Sequence, residues 1–142
     1  MESIEQINYL KVPAANVYQA LTSEEGLGKV WTKKLKVKPE VGFVNEFDFD
    51  EGYLTRFKTI ELVENSKIVW ECLESDEEWI GTRVSFELTE KDNTTAVTLK
   101  HFNWRARTDF YRWCSYNWGM FLYSLKTYCE SQKGLPYQDR DF

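Results

Sequence analysis

The sequence predicts an α+β fold: a curved antiparallel sheet of about six to seven strands wrapped around one long C-terminal helix, with two short helices after the first strand. Three observations predict it. Thr108 to Gly134 carries apolar residues at helical spacing; residues 35 to 104 alternate with a strand-like period; residues 13 to 31, between the first strand and that stretch, show short helical spacing with capping residues. Both the helix and the strands have one apolar face, and each face needs the other to cover it.

The first strand is expected over residues 3 to 12, where Ile4, Ile7, Tyr9, Leu10 and Val12 are separated by polar residues. Pro13 suits the first turn of a helix, because its missing N–H has no partner there in any case. Val17, Ala20 and Leu21 then recur at helical spacing. Thr22 or Ser23 recaps a second helix, and Glu24 and Glu25 suit its positive end. Gly26 and Gly28 are expected to interrupt that helix, with Leu27, Val30 and Trp31 turned to the core.

Strand-like stretches follow. Leu35 to Lys38 ends at Pro39 and Gly42, and Phe43 to Asp50 puts Phe43, Phe47 and Phe49 on one face. Asp50-Glu51-Gly52 reads as a tight hairpin turn. Tyr53 to Val63 is the next strand; Lys67 to Ser75 places Ile68, Trp70 and Cys72 on one side. Residues 75 to 78 form an acidic loop. Thr82 to Thr89 turns Val84, Phe86 and Leu88 inward, and Thr95 to Trp104 shows Val97, Leu99, His101 and Asn103 on one face. The connections are too short for parallel crossovers, so the sheet is antiparallel.

On the last helix, Phe110, Tyr111, Cys114, Trp118, Phe121, Leu122, Leu125, Tyr128 and Cys129 share one third of the circumference. Arg112, Tyr116, Gly119, Tyr123, Lys126 and Glu130 lie opposite. Thr108 or Asp109 caps the start, and Gly134 followed by Pro136 is expected to stop it. One domain is expected over residues 1–135, with a loosely held tail over 136–142.

The formal charge of -5 argues against nucleic acid, which needs a concentrated basic surface. Lys33, Lys34, Lys36 and Lys38 read as one polar strand face. No apolar run approaches the roughly 18 residues of a membrane span. The N-terminus lacks a basic region followed by an apolar core, so no secretory signal is expected and the assigned location is cytoplasmic. Cys72, Cys114 and Cys129 are expected as buried reduced thiols, with no metal site and no cofactor.

The stretch from Val17 to Thr32, VYQALTSEEGLGKVWT, resembles the opening motif of the START-like (SRPBCC) superfamily, and most closely the branch named for activators of the heat-shock protein 90 ATPase. Lys67-Ile68-Val69-Trp70, the pair Thr82–Leu88 and Ala96–His101, and the spacing of Trp118, Leu122 and Leu125 resemble later motifs of that family. The resemblance covers about residues 3 to 133. The chain departs from the pattern at Val41-Gly42-Phe43, where Gly-Gly is frequent, and at Asn117, where a glycine often precedes the helix tryptophan. What the resemblance implies is a helix-grip (START/Bet v 1-like) fold. Members of the family bind apolar ligands, act as cyclases or hydrolases, or serve as co-chaperones.

At 16% the aromatic content is high, and this is the main functional hint. Trp31, Phe47, Phe49, Trp70, Phe86, Trp113, Trp118 and Phe121 are expected around the space between helix and sheet, as pocket lining or as core filling. His101, the only histidine, is the one weak candidate for a catalytic base or ligand hydrogen-bonder; against this stands a core histidine bonded to its neighbours. Asn117 is a candidate orienting group beside Trp118. Arg83, Arg105, Arg107 and Arg112 read as surface pairs in preference to an anion site. No nucleophile arrangement and no phosphate-cradling loop is recognisable.

The first functional reading is a non-enzymatic domain holding an apolar or aromatic, lipid-like molecule between the C-terminal helix and the sheet. In this reading His101→Ala is expected to leave the fold nearly unaffected. The alternative is a protein-interaction module of the chaperone ATPase activator kind, using the acidic loop or the basic strand. The third, with least support, is a cyclase- or hydrolase-like enzyme using His101. Tyr116 and Tyr123 on the outer helix face suggest a homodimer contact.

Overall fold

The computed structural model describes residues 1–50 and 52–142. The elements run β1 (Glu2–Leu10), α1 (Ala14–Thr22), α2 (Glu24–Val30), β2 (Lys34–Lys36), β3 (Val44–Asp48), β4 (Leu54–Val63), β5 (Lys67–Glu74), β6 (Arg83–Lys91), β7 (Thr94–Trp104) and α3 (Asp109–Ser131), with a short 3-10 turn at Tyr137–Asp139. The strands form one seven-stranded antiparallel sheet in the order β1-β7-β6-β5-β4-β3-β2. This is the expected helix-grip α+β architecture.

Local chemistry sets the boundaries. Asp92 and Asn93 both take positive φ, which suits the tight turn joining β6 and β7. The Asp50-Glu51-Gly52 turn falls partly outside the described residues, since Glu51 is not described; Gly52 has φ +79°. The Ser23 hydroxyl accepts from the Gly26 N–H at 3.0 Å and caps α2. Thr108 does the same for α3, accepting from Tyr111 N–H at 3.1 Å.

Three sequence expectations are corrected. Gly26 and Gly28 do not interrupt α2, which runs through both. Gly26 is needed instead for close packing: a Cβ there would stand 2.2 Å from the Ala20 carbonyl oxygen. Gly134 does not end α3; Gln132 does, in the left-handed conformation at φ 62°. A Cβ on Gly134 would stand 2.0 Å from the Lys29 carbonyl oxygen, so that glycine lets the chain after α3 lie against α2. Asn103 is not on the inner face. The pairing of β1 with β7 slips between Glu2 and Ile4, Asn103 takes φ 73° and is exposed, and Trp104 is buried in its place.

Helix α3 buries Cys114, Trp118, Phe121, Leu122, Leu125 and Cys129 against the sheet and the two short helices. It also holds β1, an edge strand of the sheet. Gln6 Nε2 donates to the Ser115 carbonyl at 2.7 Å, Asn8 Nδ2 to the Leu122 carbonyl at 3.1 Å, and Lys126 Nζ to the Tyr9 carbonyl at 2.7 Å. Cys72, Cys114 and Cys129 are free and buried, and burial pushes each thiol up to about 12.

Candidate functional site

The centre of the grip is filled. Trp31 is its hub, with ring centroids 4.6 Å from Phe47, 5.3 Å from Trp118, 5.4 Å from Phe121 and 6.1 Å from Trp70. Phe86 packs edge-on to Trp70 at 5.3 Å and stacks with Phe121 at 5.7 Å. Phe47, Trp70, Phe86, Trp118 and Phe121 are all buried, so these predicted lining residues form core.

His101 belongs to that core too. Its Nδ1 accepts from Trp118 Nε1 at 3.0 Å, which leaves the proton on Nε2, and Nε2 donates to Thr82 Oγ1 at 2.8 Å. Thr82 Oγ1 in turn donates to the Trp79 carbonyl at 2.6 Å. Burial pulls the imidazole down to about 3, so it stays neutral. The histidine is sealed and fully bonded. Its work is to fix Trp118 and the loop that carries Trp79. Its removal is now expected to cost stability, contrary to the sequence expectation, because two buried polar partners would lose their bonds.

Above this core lies an open cleft of about 540 Å³. Trp31, Phe49, Tyr53 and Thr55 form one wall, from the end of α2 and the β3–β4 hairpin. Phe110, Trp113, Cys114 and Asn117, on the first half of α3, also line the cleft. Trp79 and the tail residues Tyr137, Arg140 and Phe142 complete the lining. Of the predicted ligand contacts, Trp31, Phe49, Trp113 and Asn117 are brought together here.

Trp79 is held firmly. Its Nε1 donates to Cys114 Sγ at 3.3 Å, its ring stacks on Trp118 at 6.0 Å, and it meets His101 edge-on at 4.9 Å. The tail, expected to be loose, makes specific contacts. Tyr137 N–H donates to the Trp31 carbonyl at 2.6 Å, Gln138 Nε2 donates to Thr32 Oγ1 at 2.8 Å, and Lys33 pairs with Asp139 at 2.8 Å. Tyr137 packs on Phe49 at 5.4 Å, and Phe142 on Trp113 at 5.5 Å.

The polar groups of the cleft are few. Burial, followed by the Asp76 charge, pushes the Tyr53 phenol up to about 12. Burial pulls the Arg140 guanidinium down to about 10. Asn117 spends its Nδ2 on the Trp113 carbonyl at 2.8 Å, along its own helix. Arg83 pairs with Glu71 at 3.5 Å, Arg107 with Glu2, and Arg112 with Asp109 at 3.3 Å, while Arg105 donates to the Glu77 carbonyl at 2.9 Å. None of those arginines lines the cleft. As ligand contacts, sequence reasoning missed Tyr53, Thr55, Trp79, Phe110, Cys114, Tyr137, Arg140 and Phe142. A signal was present: a tail of seven residues holding Pro136, Tyr137 and Phe142 has apolar groups to dock. Among the described residues, no group of His, Cys, Asp or Glu is placed to hold a metal ion.

A filled grip with an open cleft at one end of the long helix invites comparison with known proteins. The sequence model of the Activator of Hsp90 ATPase homolog 1-like protein family matches residues 11–130. The chain belongs to this family. The solution structure of the Aha1 dimer from Colwellia psychrerythraea is 36% identical, with a TM-score of 0.87 over 94% of this chain and 100% of that one. Protein MLL2253 from Mesorhizobium loti shares the fold at 19% identity, with a TM-score of 0.78 over 89% of this chain and 95% of that one. CalU16 from Micromonospora echinospora does so at 17% identity, with a TM-score of 0.71 over 89% and 73%. A comparison with curated proteins finds no significant match. Family and fold place the chain among ligand-binding or interaction domains. Among the described residues no helix is long and apolar enough to cross a membrane.

Proposed function

We propose that this member of the family binds a small apolar or aromatic molecule in the open cleft between α3, the β3–β4 hairpin and the tail. The observation that carries this reading is the cleft itself. Its volume of about 540 Å³ lies within the range of small-molecule sites. Its walls are mainly aromatic, and Tyr53, Asn117 and Arg140 supply a few polar groups. The ligand sits over the aromatic core, not inside it, because Phe47, Trp70, Phe86, Trp118 and Phe121 already fill the interior.

Trp113 offers the cleanest test. It is 48% exposed, so removing it takes away cleft wall and little core. Titration with the neutral probe N-phenyl-1-naphthylamine is expected to give saturable binding, read by probe fluorescence and by quenching of the tryptophans in the cleft. Trp113→Ala is expected to weaken it by about fivefold or more, the loss of one aromatic contact surface. Absence of saturable binding, or an unchanged affinity in Trp113→Ala, would reject the reading.

A second reading is self-association through the outer face of α3. Tyr116 and Tyr123 are 56% and 61% exposed there. With Gly119, Met120 and Leu135 they edge an apolar groove of about 350 Å³. The relative from Colwellia psychrerythraea was solved as a dimer. The chaperone-docking alternative has less support on the basic strand, where Lys33 and Lys34 are already paired with Asp139 and Asp50. An enzyme using His101 has none in the geometry, since both ring nitrogens are engaged beneath the cleft.

A further inference from the structure

Arg140 is the arginine that lines the cleft; Arg105, which also has no ion pair among the described residues, donates to the Glu77 carbonyl at the surface. Arg56, Arg83, Arg107 and Arg112 each face a carboxylate at the surface. Arg140 is half-buried and lines the aromatic cleft. It donates through Nε to the Leu135 carbonyl at 2.8 Å and through Nη2 to the Val30 carbonyl at 3.1 Å. Among the described residues it makes no ion pair, and neighbouring Asp139 is committed to Lys33. A guanidinium carries five N–H donors in a rigid fork and cannot shed its charge at neutral pH. Two neutral carbonyls orient this one without balancing it. A guanidinium half-buried beside apolar walls, with no ion-pair partner among the described residues, gains more from an added anion than one fully in water.

We propose that the cleft selects ligands that carry one anionic group, a carboxylate, sulfonate or phosphate, on a flat apolar body, with Arg140 receiving the anion and the aromatic walls receiving the body. This rests on the reading that the cleft binds small apolar molecules, and adds to it the charge of the ligand. The two carbonyl bonds hold the guanidinium plane in place before the ligand arrives, so little side-chain entropy remains to be lost on binding. Low polarity around the site strengthens the ion pair relative to one at the surface. Arg140 would thus do for the ligand what the surface arginines do for Glu71 or Asp109, in a drier setting.

The test uses two probes of similar shape. 1-Anilinonaphthalene-8-sulfonate carries an anion, and N-phenyl-1-naphthylamine lacks it. Wild type is expected to bind the sulfonate more tightly than the amine. Arg140→Gln is expected to weaken the sulfonate about tenfold or more, in keeping with a charge-assisted hydrogen bond, and to leave the amine within about twofold. Arg140→Lys, which keeps the charge and loses the fork, should fall between. Equal weakening of both probes in Arg140→Gln would mean that the residue merely staples the tail, and would overturn the proposal. So would an unchanged sulfonate affinity. Both of those results leave binding in the cleft standing. If neither probe binds saturably, or if Trp113→Ala alters neither, the cleft reading falls and this one falls with it.

Discussion

At the scale of single residues, His101 shows how one side chain can join the sheet, a loop and the helix. Its ring accepts from Trp118 on α3 and donates to Thr82, which fixes the Trp79 carbonyl. His101→Ala leaves a cavity and strips bonds from two buried partners. Its expected cost is about 3 kcal/mol or more in urea unfolding. The same residue sets a pH dependence. In the unfolded chain the imidazole titrates near 6.5; in the folded protein burial holds it down to about 3. Between these values the unfolded state binds a proton that the folded state refuses. Its contribution to stability is therefore fully present above about 6.5 and is lost as pH falls from there toward about 3, at up to ~1.4 kcal/mol per pH unit. Urea midpoints from pH 7 to pH 5 should fall in wild type and fall less in His101→Gln. Parallel slopes would show that other groups carry the effect.

At the scale of elements, the corner between α1 and α2 depends on the absence of one methyl group. At Gly26 a Cβ would meet the Ala20 backbone at 2.2 to 2.6 Å; at Gly28 the nearest atom is the flexible Leu35 Cδ2 at 3.4 Å. Both glycines lie in the same helix. Gly28→Ala is expected to be neutral or stabilising by up to ~1 kcal/mol, through helix propensity. Gly26→Ala is expected to cost about 3 kcal/mol, because backbone cannot move aside as a side chain can. Thermal melts of the two variants check this contrast, and equal shifts would contradict it. The corner matters to the cleft because α2 ends in Val30 and Trp31, which hold the tail through the Val30 and Trp31 carbonyls.

At the scale of the whole molecule, the chain has two apolar surfaces to account for, the cleft and the outer face of α3. They adjoin along the same helix, since the rings of Trp113 in the cleft and Tyr116 on the outer face have centroids 5.7 Å apart. Tyr116 and Tyr123 are seven residues apart and stand in one stripe. A two-fold interface along that stripe would pair each tyrosine with the partner helix. Sedimentation of wild type is expected to show a concentration-dependent dimer, and the combined Tyr116→Glu and Tyr123→Glu substitution to give a monomer. A wild-type monomer at high micromolar concentration would remove the dimer reading.

Much of this molecule follows from sequence periodicity. The alternation of Val97, Leu99 and His101, or of Val84, Phe86 and Leu88, marks an inner sheet face because side chains on a strand alternate by geometry. The spacing of Cys114, Trp118, Phe121, Leu122 and Leu125 marks the buried face of α3 because a helix turns by a fixed angle. Those rules are local, and they were enough for the helix-grip fold and for much of its core. They fail where a local pattern is broken for a long-range reason. The bulge at Asn103 exchanges Asn103 for Trp104 in the interior, and Gly134 is spent on contact with Lys29 rather than on ending the helix. The candidate site shows the same division. Trp113 and Asn117 were legible as flanking the apolar face of the last helix, and Trp31 and Phe49 as facing the space between helix and sheet. Whether an aromatic ring lines a space or fills it depends on the distances among Trp31, Phe47, Trp70, Phe86, Trp118 and Phe121, which no periodicity encodes. The fold, its strand faces and its gripping helix were readable from residue order alone, because these rest on backbone geometry. That His101 is a sealed bracing residue, that the tail lines the cleft, and that Arg140 has no ion pair there among the described residues came from the folded chain alone, because each depends on groups distant in the sequence meeting in space.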